Sequence, residues 1–460
     1  MNRLLSGEKI GSAPLAVLLG ITLIVLLGAP FIFELLGVNH SERAMKAAVQ
    51  IIVFIILAAS YDLLIGYTAI ISLCHSVFFA IGAYSLAIIM QGASSGWENI
   101  LLAFIFAGLF SAILAGVMAL IGIRVKNIYF TLVTFAFAFG AQSFVIKLSE
   151  ITGGISGLTF DEGMPSLLTE KVQIFGGGEY RIYAYYLIFL VALALLLIML
   201  RLVSSPFGKV LLAVRENEFR CGAIGFRAGW YKAIAIILAA VIASIAGVLY
   251  AGWVKIAVPN SFLNIEIMLM ILIIVMVGGK GSIYGTIVGA VIIVLMENYL
   301  SSYLDVLFQT DFPERMQMVL TDPFYILDDY VDVVPIKYFF NKNRWALYIG
   351  LFYIFSIYYF RLGIVGKLRE IERLKMAQIT LRGFFEEIKG KGAAALNKCF
   401  VLLKTIIFLS AIGQMFTGLW NLNGNNGEYL VFSSVLTYLF GVFAVSLKGS
   451  ASKKGARYEG

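Results

Sequence analysis

Apolar runs of about 20 residues, the length that spans a bilayer core as a helix, recur along this chain from residue 14 to residue 447. In hydrocarbon every backbone N–H and C=O must be paired internally, which leaves only helices and closed barrels. A barrel strand alternates over about ten residues and does not run continuously apolar. The expected class is therefore an all-α polytopic membrane protein. Composition agrees: 60% of the 460 residues are hydrophobic and 13% charged, against about 25% charged in an average soluble domain. Mean hydropathy is +0.92. A soluble enzyme, a disordered chain and a disulfide scaffold are excluded.

Twelve hydrophobic segments stand out, near 14–36, 43–67, 69–90, 99–122, 127–148, 182–203, 230–254, 262–278, 282–300, 344–361, 399–419 and 429–447. They predict about ten core transmembrane helices and a C-terminal two-helix hairpin. The first is long enough to span and is expected to stay in the mature chain. Few residues, around Gly66-Tyr67, separate the second segment from the third. That join predicts a broken or re-entrant pair, tolerated only where protein or a cavity surrounds the backbone.

Charge orients the segments. With the N-terminus inside, the inner stretches are 1–13, 123–127, 201–232, 278–282, 361–398 and 448–460. These hold more than two-thirds of the chain's 35 Lys and Arg residues. The positive-inside rule then places both termini in the cytoplasm. The external loop 301–343 collects Asp305, Asp311, Glu314, Asp322, Asp328, Asp329 and Asp332. The net charge of +8 fits an anionic lipid surface, not nucleic acid.

Three regions are expected: a core over 1–366 with the external insertion 301–343, a cytoplasmic amphipathic linker over 367–398, and an accessory hairpin with a basic tail over 399–460. In the linker Leu381, Phe384, Phe385 and Ile388 share a helical face. The hairpin turns through Asn421–Glu428, rich in Asn and Gly.

Motifs for chemistry are missing. Gly278-Gly279-Lys280-Gly281-Ser282 lacks the spacing of a phosphate loop, and no zinc-protease, nucleophile-elbow or paired-Cys pattern occurs. Cys74, Cys221 and Cys399 read as free thiols, and His40 and His75 are the only histidines. No metal site, no bound cofactor and no catalysis are expected of this chain.

One cytoplasmic stretch is distinctive. Ser205-Pro206-Phe207-Gly208 leads into Arg215-Glu216-Asn217-Glu218, then Ala223-Ile224-Gly225. It is short and amphipathic, with Leu211, Val214 and Glu218 at helical spacing. It could dock into a groove on a soluble partner, or it could be an ordinary loop helix with a solvated face.

Polar residues within apolar runs mark candidate positions along a pathway. Asp62 precedes the join by four residues. It could face a pathway and meet a substrate ammonium, or it could bond backbone groups freed at the join. Glu266 and Glu297 lie near helix ends and could simply reach water. His75, beside the join, reads as a proton carrier or as a hydrogen-bonded packing residue. With Gly66, Tyr67, Ser72, Gly278 and Gly279, the residues Asp62, His75 and Glu266 form the translocation-path candidates. Gly82, Gly281 and Gly285 are further places where helix backbones could approach or break.

These stretches resemble the branched-chain amino-acid type of ABC importer permease. The cytoplasmic run, with Tyr231-Lys232 after it, is similar to that family's coupling loop. Other blocks follow in the family's order: Leu64-Ile65-Gly66-Tyr67, Ser72-Leu73-Cys74-His75, Phe78–Tyr84, Tyr129-Phe130-Thr131-Leu132, Thr152–Leu158, Ala246–Tyr250, Pro259–Phe262, Ile265-Glu266 and Gly278–Gly285, with Arg344-Trp345 opening one further matching helix. The chain departs from the pattern at Cys74, where Gly is usual, at Asp62, where Asn is usual, at Ala69-Ile70-Ile71 and at Lys280.

The resemblance implies a permease subunit of the bacterial inner membrane. It would form a translocation path for a small solute: Leu, Ile or Val first, with urea, amides and other amino acids open. Its implied partners are a second homologous permease subunit, two cytoplasmic ATPase subunits carrying ATP and Mg, an external solute-binding protein and the lipid bilayer. Arg215, Glu216, Asn217, Glu218, Ala223 and Gly225 would couple to the ATPases. Gly153, Gly154 and Gly157 would form a flexible external lip. The alternative from another class is a stand-alone secondary transporter or channel. Its ion relay would have to use Asp62, His75, Glu266 and Glu297, which form no evident chain. A membrane-embedded enzyme or sensor is the weakest reading, for want of motifs.

Overall fold

The computed structural model describes residues 41–300, apart from 92–95, 126, 161–162 and 174–178, together with 19–20, 22–30, 363 and 365–366. The expected helices at 344–361, 399–419 and 429–447, the insertion, the linker and both termini lie outside the described residues. Within 42–294 the described elements belong to one compact unit.

Among the described residues of 41–295 the longer helices are α1 Ser41–Ile65, α2 His75–Gln91, α3 Trp97–Arg124, α4 Asn127–Lys147, α5 Ile182–Ser204, α6 Pro206–Glu216, α7 Glu218–Ala223, α8 Ala228–Val254, α9 Ile265–Gly278 and α10 Ile283–Leu295. Single helical turns stand at Ser149–Thr152, Ser166–Thr169 and Pro259–Phe262. Two-residue strands are β1 Leu158–Thr159, β2 Val172–Gln173, β3 Glu179–Tyr180 and β4 Ile256–Ala257; β1 pairs antiparallel with β4, and β2 with β3. Among the described residues six stretches are long and apolar enough to cross a membrane. They match the hydropathy segments to within a few residues, because a 20-residue apolar run has no other way to satisfy its backbone in lipid. Shorter apolar helices cover His75–Gln91 and Ile283–Asn298.

Burial ranks the helices. The spanning window of α1 is wholly buried, whereas that of α4 is 17% buried. So α1 is enclosed by protein. The outward faces of α3 and α4, with Leu101, Phe106, Leu109, Ile113, Leu132 and Phe139 exposed, suit lipid or another apolar surface. Helix α2 packs on α8 and α3. Phe54 of α1 lies 6.5 Å from Phe79 of α2, and Tyr61 5.4 Å from His75. The pairings run in opposite senses along the chain, so α1 and α2 are antiparallel.

Contacts sort the loops into two ends. At one, Gly66 meets Gly281 and Arg215, and Ile123 meets Gly229. Ile123, Arg215, Gly229 and Gly281 lie in stretches that the charge distribution assigns to the cytoplasm, and Gly66 joins them there. At the other, β1 meets β4, Gly163 approaches Met90, and Arg181 meets Trp253.

Two expectations are refined. The third hydropathy segment starts at 69, yet helix α2 starts only at His75; residues 66–74 turn and then run non-helically, with Ala69 at φ 58°. Hydropathy cannot separate these conformations when both are buried in apolar surroundings. The expected single cytoplasmic helix is two, divided at Asn217.

Candidate functional site

Helix α6 begins where extended Ser205 meets Pro206, whose fixed φ suits the first helical position. Gly208, Leu211 and Val214 face inward; Leu212, Ala213 and Glu216 face outward. At Asn217 the backbone swings to φ −159° and ends α6. The Asn217 side-chain oxygen then accepts the Arg220 amide at 3.0 Å and caps α7. Glu218 therefore opens a second helix instead of continuing the face of Leu211 and Val214. Val214, Cys221 and Ala228 close a small core beneath the bend, with Val210 against it.

The coupling candidates divide by orientation. Glu216, Asn217 and Ala223 are exposed. Gly225, at φ 97°, makes the turn that returns the chain to α8. Lys232 of α8 donates to Glu218 at 2.6 Å. Arg215 turns inward and donates from Nη1 to the Gly66 carbonyl. Beside the exposed polar groups lie Phe219 at 86% exposure and Ile224 at 76%, with Leu212 and Phe226 also exposed. An apolar surface at the end of a membrane bundle that is also polar-rimmed is suited to bind another protein.

Asp62 is fully buried, and its Oδ1 accepts the Gly281 amide at 2.7 Å. Of the two readings of Asp62, this bond fits the one in which the carboxylate serves backbone freed at a break. The freed group, however, belongs to the α9–α10 connection, 219 residues away. Gly66 allows this approach, because a Cβ there would overlap the Asp62 carboxylate and the Gly281 amide. Gly279 and Gly281, at φ 114° and 80°, shape the connection. Gly278 and Gly285 abut so closely that a Cβ on either would strike the other's carbonyl.

The non-helical stretch after Gly66 is held by helix α4. Thr131 Oγ1 donates to the Ile71 carbonyl at 2.8 Å, and Thr134 Oγ1 accepts the Leu73 amide at 3.0 Å. Tyr67 is buried, as is Ser72, whose hydroxyl lies 3.3 Å from the Cys74 sulfur. Ala69 and Ile71 are exposed. Ser60 donates to the Leu57 carbonyl at 2.7 Å, so its oxygen accepts from His75 Nε2 at 2.8 Å. This is the packing arrangement for His75, built into the α1–α2 contact.

Glu266 stands apart from this group. It is exposed in the first turn of α9, with its amide 3.4 Å from Asn264 Oδ1. Gly278 and Gly279 lie at the other end of that helix, about 20 Å away at 1.5 Å per residue. The other path candidates gather around 62–75 and 278–281. The expected external lip is tightly seated. Gly153, Gly154 and Gly157 take φ 72°, 62° and 71°, and a Cβ on Gly157 would strike the Ala257 carbonyl. Among the described residues no His, Cys, Asp and Glu cluster could hold a metal ion.

Sequence reasoning missed Thr131 and Thr134 as supports, Lys232 as the partner of Glu218, and Gly281 as the partner of Asp62. Thr131 was visible only as part of a block.

The model of one protein family, described as the branched-chain amino acid transport system / permease component, matches residues 43–325. The chain belongs to this family. Among curated relatives, the high-affinity branched-chain amino acid transport system permease protein LivM of Salmonella typhimurium is 27% identical over 279 residues. The aligned stretch is 57% of this chain and 65% of that protein. LivM of Escherichia coli K12 aligns with the same figures. A probable branched-chain amino acid transport permease protein LivM of Methanocaldococcus jannaschii is 27% identical over 206 residues, 44% of this chain and 57% of that protein. The chain thus covers just under two-thirds of the first relatives' length. No solved structure matches it. This family member is a multi-pass protein of the inner membrane, and every described candidate residue above falls inside the matched range.

Proposed function

We propose that this chain is a transmembrane permease subunit of an ATP-driven importer for small solutes, branched-chain amino acids first among them. The family match over 43–325 carries the reading. The α6–α7 pair supports it: an exposed surface of Phe219, Ile224 and Leu212 next to Glu216 and Asn217 offers a soluble partner a ready seat. In this reading ATP and Mg reside on two cytoplasmic ATPase subunits, and no cofactor is bound here. A second homologous permease subunit completes the path, against which the exposed edge of 69–71 would lie. An external solute-binding protein docks at the end that carries β1, β4 and the 153–157 turn. The 399–460 hairpin is an accessory, and truncation after about residue 398 should leave transport intact.

Mild-detergent purification of the tagged chain, with mass spectrometry of what accompanies it, tests the assembly. The reading expects a second permease and ATPase subunits. Recovery of this chain alone after gentle cross-linking would instead favour a stand-alone transporter or channel.

A further inference from the structure

Three remote segments converge at the cytoplasmic end within the width of one residue: the end of α1, helix α6 and the α9–α10 connection. Arg215 of α6 donates to the Gly66 carbonyl, and Asp62 of α1 accepts the Gly281 amide. A Cβ built on Gly281 would stand 2.9 Å from Arg215 Nη1 and 3.2 Å from the Gly66 carbonyl.

Each contact answers a local need. The last carbonyls of a helix have no intrahelical partner. In α1 the Asp62 carbonyl takes the Gly66 amide at 2.7 Å, and the Leu64 carbonyl takes the Thr68 amide and hydroxyl. The Gly66 carbonyl, one residue past the helix, receives the guanidinium, whose charge also suits the negative helix end. An Arg carries five donors on a rigid plane, so it can bridge where a Lys makes a point contact. Elsewhere α6 is seated by apolar side chains and by Gly208, where a Cβ would strike the Val203 carbonyl.

We propose that Arg215 and Asp62 form a clasp that ties the cytoplasmic helix pair to both helix breaks, 66–74 and 279–282, so that displacement of α6 moves the breaks. The consequence for transport rests on the permease reading above; the clasp does not. Arg215 and Asp62 are positioning residues here, one reaching from α6 to α1 and the other from α1 to the α9–α10 connection.

Hydrogen exchange on the full chain in lipid nanodiscs, without partners, tests the clasp. The diagnostic amide is Gly281, which bonds Asp62 and not Arg215. Arg215→Ala should accelerate its exchange tenfold or more, together with 66–74, while α3 and α5 stay unchanged. Arg215→Lys should restore part of the protection. If exchange rises only within 206–223, Arg215 is a local cap and the clasp is overturned. Should Arg215→Ala fail to insert, Arg215→Gln and Arg215→Lys carry the same comparison. Where ATPase subunits co-purify, Arg215→Ala should lower solute moved per ATP at least tenfold with assembly intact, and an unchanged ratio would refute the transmission.

Discussion

Gly82 of α2 and Gly247 of α8 let two membrane helices cross backbone to backbone: a Cβ on Gly82 would strike the Ser244 carbonyl, and one on Gly247 the Phe79 carbonyl. In lipid, where apolar burial between helices gains little, such close approach supplies packing that larger residues prevent. Overpacking a fitted contact costs about 1–3 kcal/mol. Gly82→Ala and Gly247→Ala should each lower the thermal midpoint of the detergent-solubilised chain. Gly116→Ala in α3, with nothing within 4 Å of the added methyl, should leave it unchanged or raise it slightly.

Thr134 supports the non-helical stretch through one oxygen. Thr134→Val keeps the volume and removes the acceptor of the Leu73 amide. A buried donor left unpaired costs about 1–3 kcal/mol. The variant should lose stability by that order and expose 69–74 to exchange; Thr134→Ser should behave as the parent. Equal exchange in both variants would show that the Thr134 bond does not hold Leu73.

The six spanning stretches were legible because hydropathy and length decide them. The split at Asn217 was legible in part: Asn is a good cap, yet Leu211, Val214 and Glu218 also fit one continuous helix. The Asp62–Gly281 bond was not legible, since its partners lie 219 residues apart and a backbone amide leaves no mark in sequence. The non-helical run 69–74 was hidden for another reason. Ile70, Ile71 and Leu73 suit a membrane helix, and the bonds that stabilise another conformation there come from the threonines of α4 and from the Leu64 carbonyl, which takes the Ile70 amide at 3.3 Å. His75 could be read from sequence as a packing residue or a proton carrier, and its bond to Ser60 needs the antiparallel packing of α1 and α2 to be known.

At the opposite end Arg181 grips the exit of α8. Its Nη2 donates to the Trp253 carbonyl at 2.6 Å, and its guanidinium carbon lies 4.5 Å from the Trp253 ring centroid. Removing the pair should cost about 1–2 kcal/mol, from the cation–π contact and the lost carbonyl bond. Arg181→Lys keeps the charge but not the stacked plane. Both Arg181→Ala and Arg181→Lys should shift the fluorescence of Trp253, measured in a background where the other tryptophans are Phe. An unshifted spectrum would mean that the ring's environment is set without Arg181.

The Glu218–Lys232 pair calls for a smaller effect. The Lys232 side chain is 11% exposed and the Glu218 side chain 56%; pairs open to solvent are worth about 0–1 kcal/mol, and Gln at 218 keeps an oxygen that can accept from the buried ammonium. Glu218→Gln should barely change stability but should loosen α7 and weaken capture of the proposed ATPase partners. The exchanged pair, Glu218→Lys with Lys232→Glu, should recover capture. Failure of the exchange to recover it would mean that Glu218 meets the partner directly.

In the proposed function this chain passes a solute only when ATPase partners act through α6 and α7. The most direct measurement is uptake of radiolabelled Leu, Ile and Val into proteoliposomes holding the co-purified assembly, with and without ATP, for the parent and for Phe219→Asp. ATP-dependent uptake is expected in the parent and its loss in the variant, with the chain still inserted. Uptake by the chain alone, driven by an ion gradient without ATP, would contradict it.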